Sequence, residues 1–256
     1  MRNRAFLYVA VVALLVAGLF TYRTMIRTPV CETHTFEGSA FSVCIFRPGR
    51  QEVALVWAEG QGRALGGFEA LEASWLVDNR RVVFAMNAGM FDASGAPIGL
   101  FVAKGQEEHA LNQQAGSGNF YMQPNGVFFV DEKRQPRVLT TADYASSGVT
   151  PVWATQSGPM LVTGGAINAQ FGQDGDSRYV RNGVGVHDGL GFFVISEEPV
   201  SFGKFARFFR DALKCEDALY LDGAVSSLWV PSSGRRDAGY RLGPMVVVSD
   251  RPRNQS

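Results

Sequence analysis

Short apolar runs bounded by glycine, asparagine, proline or aspartate recur along most of the chain. Runs of this length predict strands, and they lie at residues 53–58, 81–86, 98–103, 126–130, 160–163, 192–196, 218–221 and 245–249. Two stretches, 68–76 and 202–213, instead repeat apolar positions at helical spacing. Because strands and helices do not alternate regularly, the pattern disfavours a doubly wound parallel sheet. It predicts an α+β fold, with a mixed β-sheet core and a few helices.

The first thirty residues have a different pattern. An unbroken apolar run covers residues 5–20, and it is flanked by Arg2, Arg4, Arg23 and Arg27. A basic start followed by an apolar segment is typical of a secretory signal. With two further residues, the run over 5–22 approaches the length of a membrane span. We therefore expect a signal peptide or membrane anchor helix at residues 1–30, with an uncleaved anchor favoured and cleavage as the alternative.

This N-terminus predicts that residues 31–256 form one domain on the extracytoplasmic, periplasmic side of the cell envelope. Of the cysteines in this part, Cys31 and Cys44 flank a short strand-like stretch and could pair in an oxidising compartment, although other pairings stay open. Cys215 follows a helix-like stretch, and we expect it to have a packing role.

Composition excludes several classes of function. The chain is 46% hydrophobic and 19% charged, which is typical of a globular protein and not of a disordered one. Its 24 basic and 24 acidic residues give no net charge, which argues against a nucleic-acid partner. Only three histidines are present, with no HExxH or CxxC motif. We therefore predict neither a metal site nor a cofactor.

Four glycine-rich polar clusters are candidates for chemistry. They read NAGMF at 87–91, QSGPML at 156–161, RNGVG at 181–185 and LDGAVSS at 221–227. Each follows or adjoins a strand, and glycine lets a ligand approach the backbone in such loops. Taken singly, each cluster is more typical of a simple turn.

Asp222 and Arg181 are the strongest candidates for functional residues within these clusters. Asp222 directly follows a predicted strand, and Gly223, Ser226 and Ser227 could donate hydrogen bonds to an anion beside it. The alternative for Asp222 is a turn residue that caps its own backbone. Arg181 could hold a phosphate or carboxylate by two parallel hydrogen bonds, or could form an ordinary salt bridge.

The order of the four clusters resembles the phosphodiester glycosidase family. The likeness extends over residues 36–248, and it is to the bacterial exported relatives of the N-acetylglucosamine-1-phosphodiester alpha-N-acetylglucosaminidases, the uncovering enzymes. It implies hydrolysis that frees a sugar from the phosphate of its carrier. The pocket would be lined by the cluster residues Asn87, Gly89, Ser157, Gly158, Arg181, Asn182, Asp222, Gly223, Ser226 and Ser227. The chain departs from many relatives at Ala224, where they carry a third glycine.

In this interpretation Asp222 is the catalytic carboxylate, as nucleophile or general base, and Arg181 binds the phosphate of the substrate. Most glycosidases use a second carboxylate, and the candidates are Asp92, Asp188, Glu197 and Glu198. We expect Asn87, Ser157, Arg181 and Asp222 to meet at one concave site. Two alternatives remain, a non-catalytic envelope module that binds carbohydrate or phosphoglycan, and a scaffold whose polar clusters are only turns.

Overall fold

The computed structural model describes residues 29–77 and 81–251. The predicted signal or anchor segment, including the membrane contact expected at residues 5–22, therefore lies outside the described residues. Within the described part, no helix is both long and apolar enough to cross a membrane.

Strands make up most of the regular structure. They are β1 Cys31–Phe36, β2 Ser39–Phe46, β3 Gln51–Val56, β4 Ala58–Glu59, β5 Arg63–Ala64, β6 Val82–Asn87, β7 Phe101–Ala103, β8 Gln106–His109, β9 Gly126–Asp131, β10 Pro136–Thr140, β11 Pro151–Ser157, β12 Met160–Thr163, β13 Ala166–Ile167, β14 Asn182–His187, β15 Leu190–Ser196, β16 Asp217–Tyr220, β17 Leu228–Val230, β18 Arg235–Arg236 and β19 Met245–Asp250. The α-helices of the described part are α1 Phe68–Val77, α2 Thr141–Ser147 and α3 Phe202–Arg207, and a π-helical turn, Phe208–Ala212, continues α3.

The strands form three main sheets and one two-stranded ribbon, β4-β5. The orders are β1-β2-β15-β14-β16-β12-β13, β10-β9-β11-β7-β8 and β18-β17-β6-β19-β3. Every strand pair among the described residues is antiparallel. The fold is thus mostly β with a few helices, and the expected mixture of parallel and antiparallel strands is wrong. Strand periodicity predicts which faces are buried, but it carries no information on strand direction.

The three sheets share one core because alternate side chains of their strands point to the same side. In β6, Phe84 and Met86 enter the shared core, while Ala85 lies on the opposite face. In β15, Phe193 enters the shared core and Val194 does not. Helical residues pack on the outer face of each sheet: those of α3 on the seven-stranded sheet, those of α1 on the β18–β3 sheet and Tyr144 of α2 on the β10–β8 sheet.

The helix at 202–213 has the packing role that its aromatic spacing predicts. Ser201 caps α3 by accepting a hydrogen bond from the Lys204 amide. Phe205, Phe208 and Phe209 are fully buried against the seven-stranded sheet. On the outer face of the β18–β3 sheet, Phe68 and Leu71 of α1 are buried in the same way. Both predicted helices are therefore confirmed.

A disulfide joins Cys31 and Cys44, which face each other in the β1–β2 register. The predicted pairing is confirmed. Cys215 is fully buried, and this burial raises the pKa of its thiol to about 12. A thiol so protonated and enclosed is a packing group, as expected.

Candidate functional site

Three strand ends meet where the candidate residues converge. Asn87 ends β6, Asn182 begins β14, and Asp222 follows β16. Backbone hydrogen bonds tie these ends together, since the Asp222 amide donates to Ala88 O at 3.0 Å and the Leu221 amide donates to Asn182 O at 3.0 Å. Residues separated by up to 135 positions are thereby neighbours.

The side chain of Asn87 is the hub of this junction. Its Nδ2 donates to the Asp222 carbonyl at 2.6 Å, and its Oδ1 accepts from the Ser227 amide at 2.9 Å. The same Oδ1 and the Asn87 carbonyl both accept from Asn182 Nδ2 at 2.9 Å. Asn87 and Asn182 are buried, so these bonds satisfy groups that would be costly to leave unpaired.

Ser226 extends the network to the Asp222 turn. Its hydroxyl lies 3.1 Å from Asn182 Oδ1 and 3.2 Å from both Gly223 O and Val180 O. One hydroxyl proton serves one of these acceptors at a time, so the group is shared among them. The network holds the loop 222–227 against β6 and β14.

Asp222 is the candidate reactive group of the junction. It caps a 3₁₀ turn at Gly223–Val225, with Oδ1 accepting from the Ala224 amide at 3.3 Å. Burial raises the pKa of its carboxyl from 3.8 to about 6, and the Ala224 hydrogen bond opposes that shift. The side chain is only half-buried, so it is also accessible. Asp222 therefore caps its own turn and also keeps a partly accessible carboxylate at the rim of the sheet.

Arg181 lies beneath this turn and is almost fully buried, with 1% of its surface exposed. Its Nε donates to Val200 O at 2.8 Å, and its Nη2 donates to the carbonyl and hydroxyl of Ser177 at 2.8 and 3.1 Å. Its Nη1 contacts Tyr220 Oη at 3.3 Å, and its Cζ lies 3.5 Å from the ring centre of Phe202. Burial lowers the pKa of the guanidinium.

These contacts do not fit the expected two-pronged grip of Arg181 on a phosphate. A guanidinium has five N–H groups, and the protein engages up to four of them. The salt-bridge alternative does not fit either, because within the described residues Arg181 forms hydrogen bonds to carbonyls and hydroxyls but to no carboxylate. Arg181 is a buried cation whose charge is not cancelled by an acidic neighbour in this part of the chain.

Tyr220 connects Arg181 to the Asp222 turn. A Cβ added to Gly223 would overlap the Tyr220 phenol, so the turn sits directly on this ring. Burial raises the pKa of Tyr220 to about 12, and the charge of Asp222 adds to the rise while Arg181 opposes it. Tyr220 is missed as a site residue by motif reasoning, although it lies within the stretch ALYLD at 218–222 that carries part of the family likeness.

The glycines of the motifs lie in close contact with other segments of the protein. A Cβ on Gly89 would collide with the Gln156 carbonyl, and a Cβ on Gly158 would approach Asn125 Cβ and Phe120 O at 2.7 Å. These positions are glycine because protein segments pack against them. The approach of a ligand to their backbone is not needed to explain the residue type.

Ser157 adjoins the junction without entering its network. Its hydroxyl is buried and has no hydrogen-bond partner in the described part of the chain. The following Gly158-Pro159 segment is connected to the site because the Tyr220 amide donates to Pro159 O at 3.0 Å. The structure therefore places Ser157 outside the network, two residues before the backbone contact of Pro159 with Tyr220.

The four candidates for a second carboxylate differ in position. Asp92 is exposed and holds its own turn through Ser94, and Asp188 lies at the far end of β14, 3.4 Å from His187. Glu198 is exposed. Glu197 follows β15 on the same side as Arg181, since the Ser196 amide donates to Arg181 O.

Glu197 belongs to a charged cluster that sequence reasoning does not reveal. Arg235 Nη1 donates to Glu197 at 2.6 Å, and Arg235 Nη2 donates to Asp237 at 2.9 Å. Asp237 in turn accepts from the Leu228 amide at 3.0 Å, next to Ser227. No motif surrounds Arg235 or Asp237, so no sequence signal points to them. Among the described residues, no group of three or more His, Cys, Asp or Glu is arranged to hold a metal ion.

Comparison with known proteins agrees with this architecture. A solved structure of the catalytic domain of zebrafish N-acetylglucosamine-1-phosphodiester alpha-N-acetylglucosaminidase, auto-inhibited by its pro-peptide, matches 89% of this chain and 85% of its own, with a TM-score of 0.58 and 16% identity. A hypothetical protein from Synechocystis matches 86% of this chain and 61% of its own, with a TM-score of 0.54 and 15% identity. At these identities the likeness concerns the fold.

Sequence comparison identifies the family. The "Uncharacterized protein YigE" of Escherichia coli (strain K12) is 36% identical over 202 residues, which are 78% of each chain. The family model described as phosphodiester glycosidase matches residues 80–248, most of the described part and all four polar clusters. The chain therefore belongs to the phosphodiester glycosidase family.

Proposed function

We propose that this protein hydrolyses sugar-1-phosphodiesters, with Asp222 as the catalytic carboxylate. The observation that carries the proposal is the position of Asp222, half-buried at a junction of three strand ends with a carboxyl pKa raised to about 6 by burial. Perturbed carboxyls in such positions are typical of functional sites. Family membership supplies the reaction type.

The reaction needs one bond broken and one formed at the sugar. In the proposal, the C1–O bond breaks, and the phosphate monoester leaves with its electron pair. Asp222 either attacks C1 and forms a glycosyl ester that water then hydrolyses, or takes a proton from the water that attacks C1. With a pKa near 6 the carboxylate is mostly ionised at neutral pH and suits either role. Phosphate is a good leaving group, so acid assistance contributes less than in ordinary glycosides.

Arg181 acts on the phosphate by its charge in this proposal, since its N–H groups are largely occupied by the protein. A buried cation that has no acidic neighbour among the described residues keeps its field, and a low-dielectric surrounding strengthens that field. Tyr220 lies between the cation and the Asp222 turn. We therefore assign Arg181 and Tyr220 to stabilisation of the departing phosphate.

The test is a screen of the full chain against a panel of sugar-1-phosphodiesters, followed by Asp222→Asn on the best substrate. We expect turnover to fall by a factor of about 100 or more with little change in substrate affinity, because the charge is needed mainly in the transition state. Asp188→Asn is the matched control, since Asp188 lies at the far end of β14. Near-normal turnover in Asp222→Asn would remove Asp222 from catalysis.

A second candidate function is a binding module for sugar phosphates. It is favoured because Glu197, one of the candidates for a second carboxylate, is already bound to Arg235 and the Ser42 hydroxyl. Measured binding of a sugar-1-phosphodiester without turnover by the parent protein would select this function. Turnover that depends on Asp222 would exclude it.

The proposed location is the extracytoplasmic face of the cell envelope, with the N-terminal segment as signal or anchor. Support comes from the basic-then-apolar pattern of residues 2–27 and from the Cys31–Cys44 disulfide, which suits an oxidising compartment. A reporter that is active only outside the cytoplasm, fused after Ser256, tests it. Reporter activity on the cytoplasmic side alone would overturn the proposal.

A further inference from the structure

A basic cavity lies at the end of the molecule opposite the candidate site. Its volume is about 620 Å³, and its lining includes Pro29, Arg47, Arg50, Arg81 and Trp229. None of the candidate site residues lines it. This volume is in the range of cavities that hold small ligands or headgroups.

The strands fix the separation of the two ends. Val82, at the start of β6, lines the cavity, whereas Asn87, at the end of β6, is the hub of the site. Five residues of extended strand span about 17 Å. In the neighbouring strand β19 the order is reversed, so Asp250 lines the cavity and Met245 pairs with Asn87.

The cavity is lined by more basic than acidic residues, whereas acidic residues are in excess over residues 31–256 as a whole. Beyond residues 1–30, the sequence holds 20 basic and 24 acidic residues, yet three arginines and two acidic residues line this cavity. Arg47, Arg50 and Arg81 are exposed. Of the two acids, Glu72 is paired with Arg236, and Asp250 is exposed at the rim.

The chain direction indicates what this end faces. Pro29 and Val30 line the cavity, so the segment that contains the apolar run 5–20 joins the folded domain at this end. Arg23 and Arg27 precede Pro29 by a few residues. An apolar segment followed by basic groups is the arrangement by which proteins bind an anionic membrane surface.

We propose that this end is a membrane-docking surface, in which Arg47, Arg50 and Arg81 bind the phosphates of anionic lipid headgroups. The surface would hold the domain upright, so that Asp222 faces away from the bilayer. This inference uses the proposed N-terminal anchor but not the proposed catalysis, and the two can fail separately.

The test uses the full chain reconstituted in vesicles of phosphatidylcholine, with or without 30% phosphatidylglycerol. Ser232→Cys, at the exposed cavity rim, carries a donor dye, and the lipid headgroups carry an acceptor. Tyr240→Cys is the matched labelling position, because Tyr240 is 58% exposed and its loop joins the site end through the hydrogen bond from Ala88 to Pro244. The thiol of Cys215 is buried and should not react.

We expect strong energy transfer from position 232 and weak transfer from position 240 in anionic vesicles, and similar transfer from both in neutral ones. Replacing Arg47, Arg50 and Arg81 by Gln should shift the docking equilibrium by about 100-fold, at about fivefold per arginine. The same change at Arg63, Arg137 and Arg210, none of which lines the cavity, should have little effect. Raising the salt concentration should weaken docking as the triple Arg→Gln variant does, and it leaves the sequence of the protein unchanged.

Two results would overturn the proposal. One is equal transfer from position 232 in anionic and neutral vesicles. The other is loss of the difference on adding millimolar inorganic phosphate at constant ionic strength, which would show a site for a free anion and not for a membrane.

Discussion

The replacement Asp222→Asn should make the folded protein more stable while it removes activity. Burial raises the pKa of this carboxyl from 3.8 to about 6, so the folded state disfavours the charged form by about 3 kcal/mol. Asp222 keeps part of its surface in solvent, and an amide oxygen can still accept from the Ala224 amide. Screening of the exposed part lowers the expected gain to about 1–2 kcal/mol at pH 7.

The sign of the pH dependence follows from linkage. Between pH 3.8 and about 6 the folded state holds more protons on Asp222 than the unfolded state, so this group makes the parent less stable as pH rises. Below 3.8 the carboxyl is protonated in both states and the penalty is absent. The advantage of Asp222→Asn should therefore be absent near pH 3.5, grow through pH 4–6 and be complete above about 6.

Urea unfolding of the parent, Asp222→Asn and Asp188→Asn at several pH values measures this difference. Asp188 lies exposed in the β14–β15 turn, so its replacement should move the midpoint little. A variant Asp222→Asn that unfolds at the same or lower urea concentration than the parent at pH 7 would refute the account of a desolvated carboxylate. Higher stability together with lost turnover is expected when a residue needed for activity lowers the free energy of unfolding.

Three further outcomes are expected. Gly223→Ala should lower the free energy of unfolding by about 1–3 kcal/mol, because a Cβ would overlap the Tyr220 phenol; an unchanged urea midpoint would contradict this packing. Arg181→Lys should lower both thermal stability and turnover, since one ammonium cannot replace hydrogen bonds made by three nitrogens; loss of turnover at full stability would return Arg181 to direct substrate contact. Replacing Cys31 and Cys44 together by Ser should lower the free energy of unfolding by about 3 kcal/mol on the chain-entropy model. Urea unfolding of the variant and of the parent, each with and without reductant, measures this loss, and reductant should destabilise the parent alone.

Local pattern predicts much of this fold. The runs at 126–130 and 160–163 are recovered as β9 and β12, and the aromatic spacing at 202–213 is recovered as α3 with its π-helical continuation. These elements are predictable because their burial repeats along the chain itself. Strand direction and sheet order are not local. For example, β2 pairs with β15, and the partners Cys44 and Phe193 are far apart in sequence.

The candidate site is predictable to the extent that its residues form motifs. Asn87, Asn182, Asp222 and Ser226 share one hydrogen-bond network, as the clusters suggest. The burial of Arg181 is not predictable, because it depends on Phe202 and Ser177 from other segments. Arg235 and Asp237 are missed for the same reason, since each contributes an isolated charge with no local pattern, and the pairing of the candidate Glu197 with Arg235 is equally non-local.

The polar motifs are best explained as a rigid hydrogen-bonded support for the Asp222 carboxylate. Asn87 and Asn182 use their amides on each other and on backbone groups, so they have little capacity left for a ligand. Among the described residues, the Asp222 carboxylate accepts one hydrogen bond, from the Ala224 amide, and keeps acceptor positions available. A site whose polar neighbours bind one another and leave one charged group uncommitted is preorganised, because no reorganisation of the neighbours is required when that group reacts. The short amide and hydroxyl side chains of the motifs are accordingly needed to hold Asp222 in position.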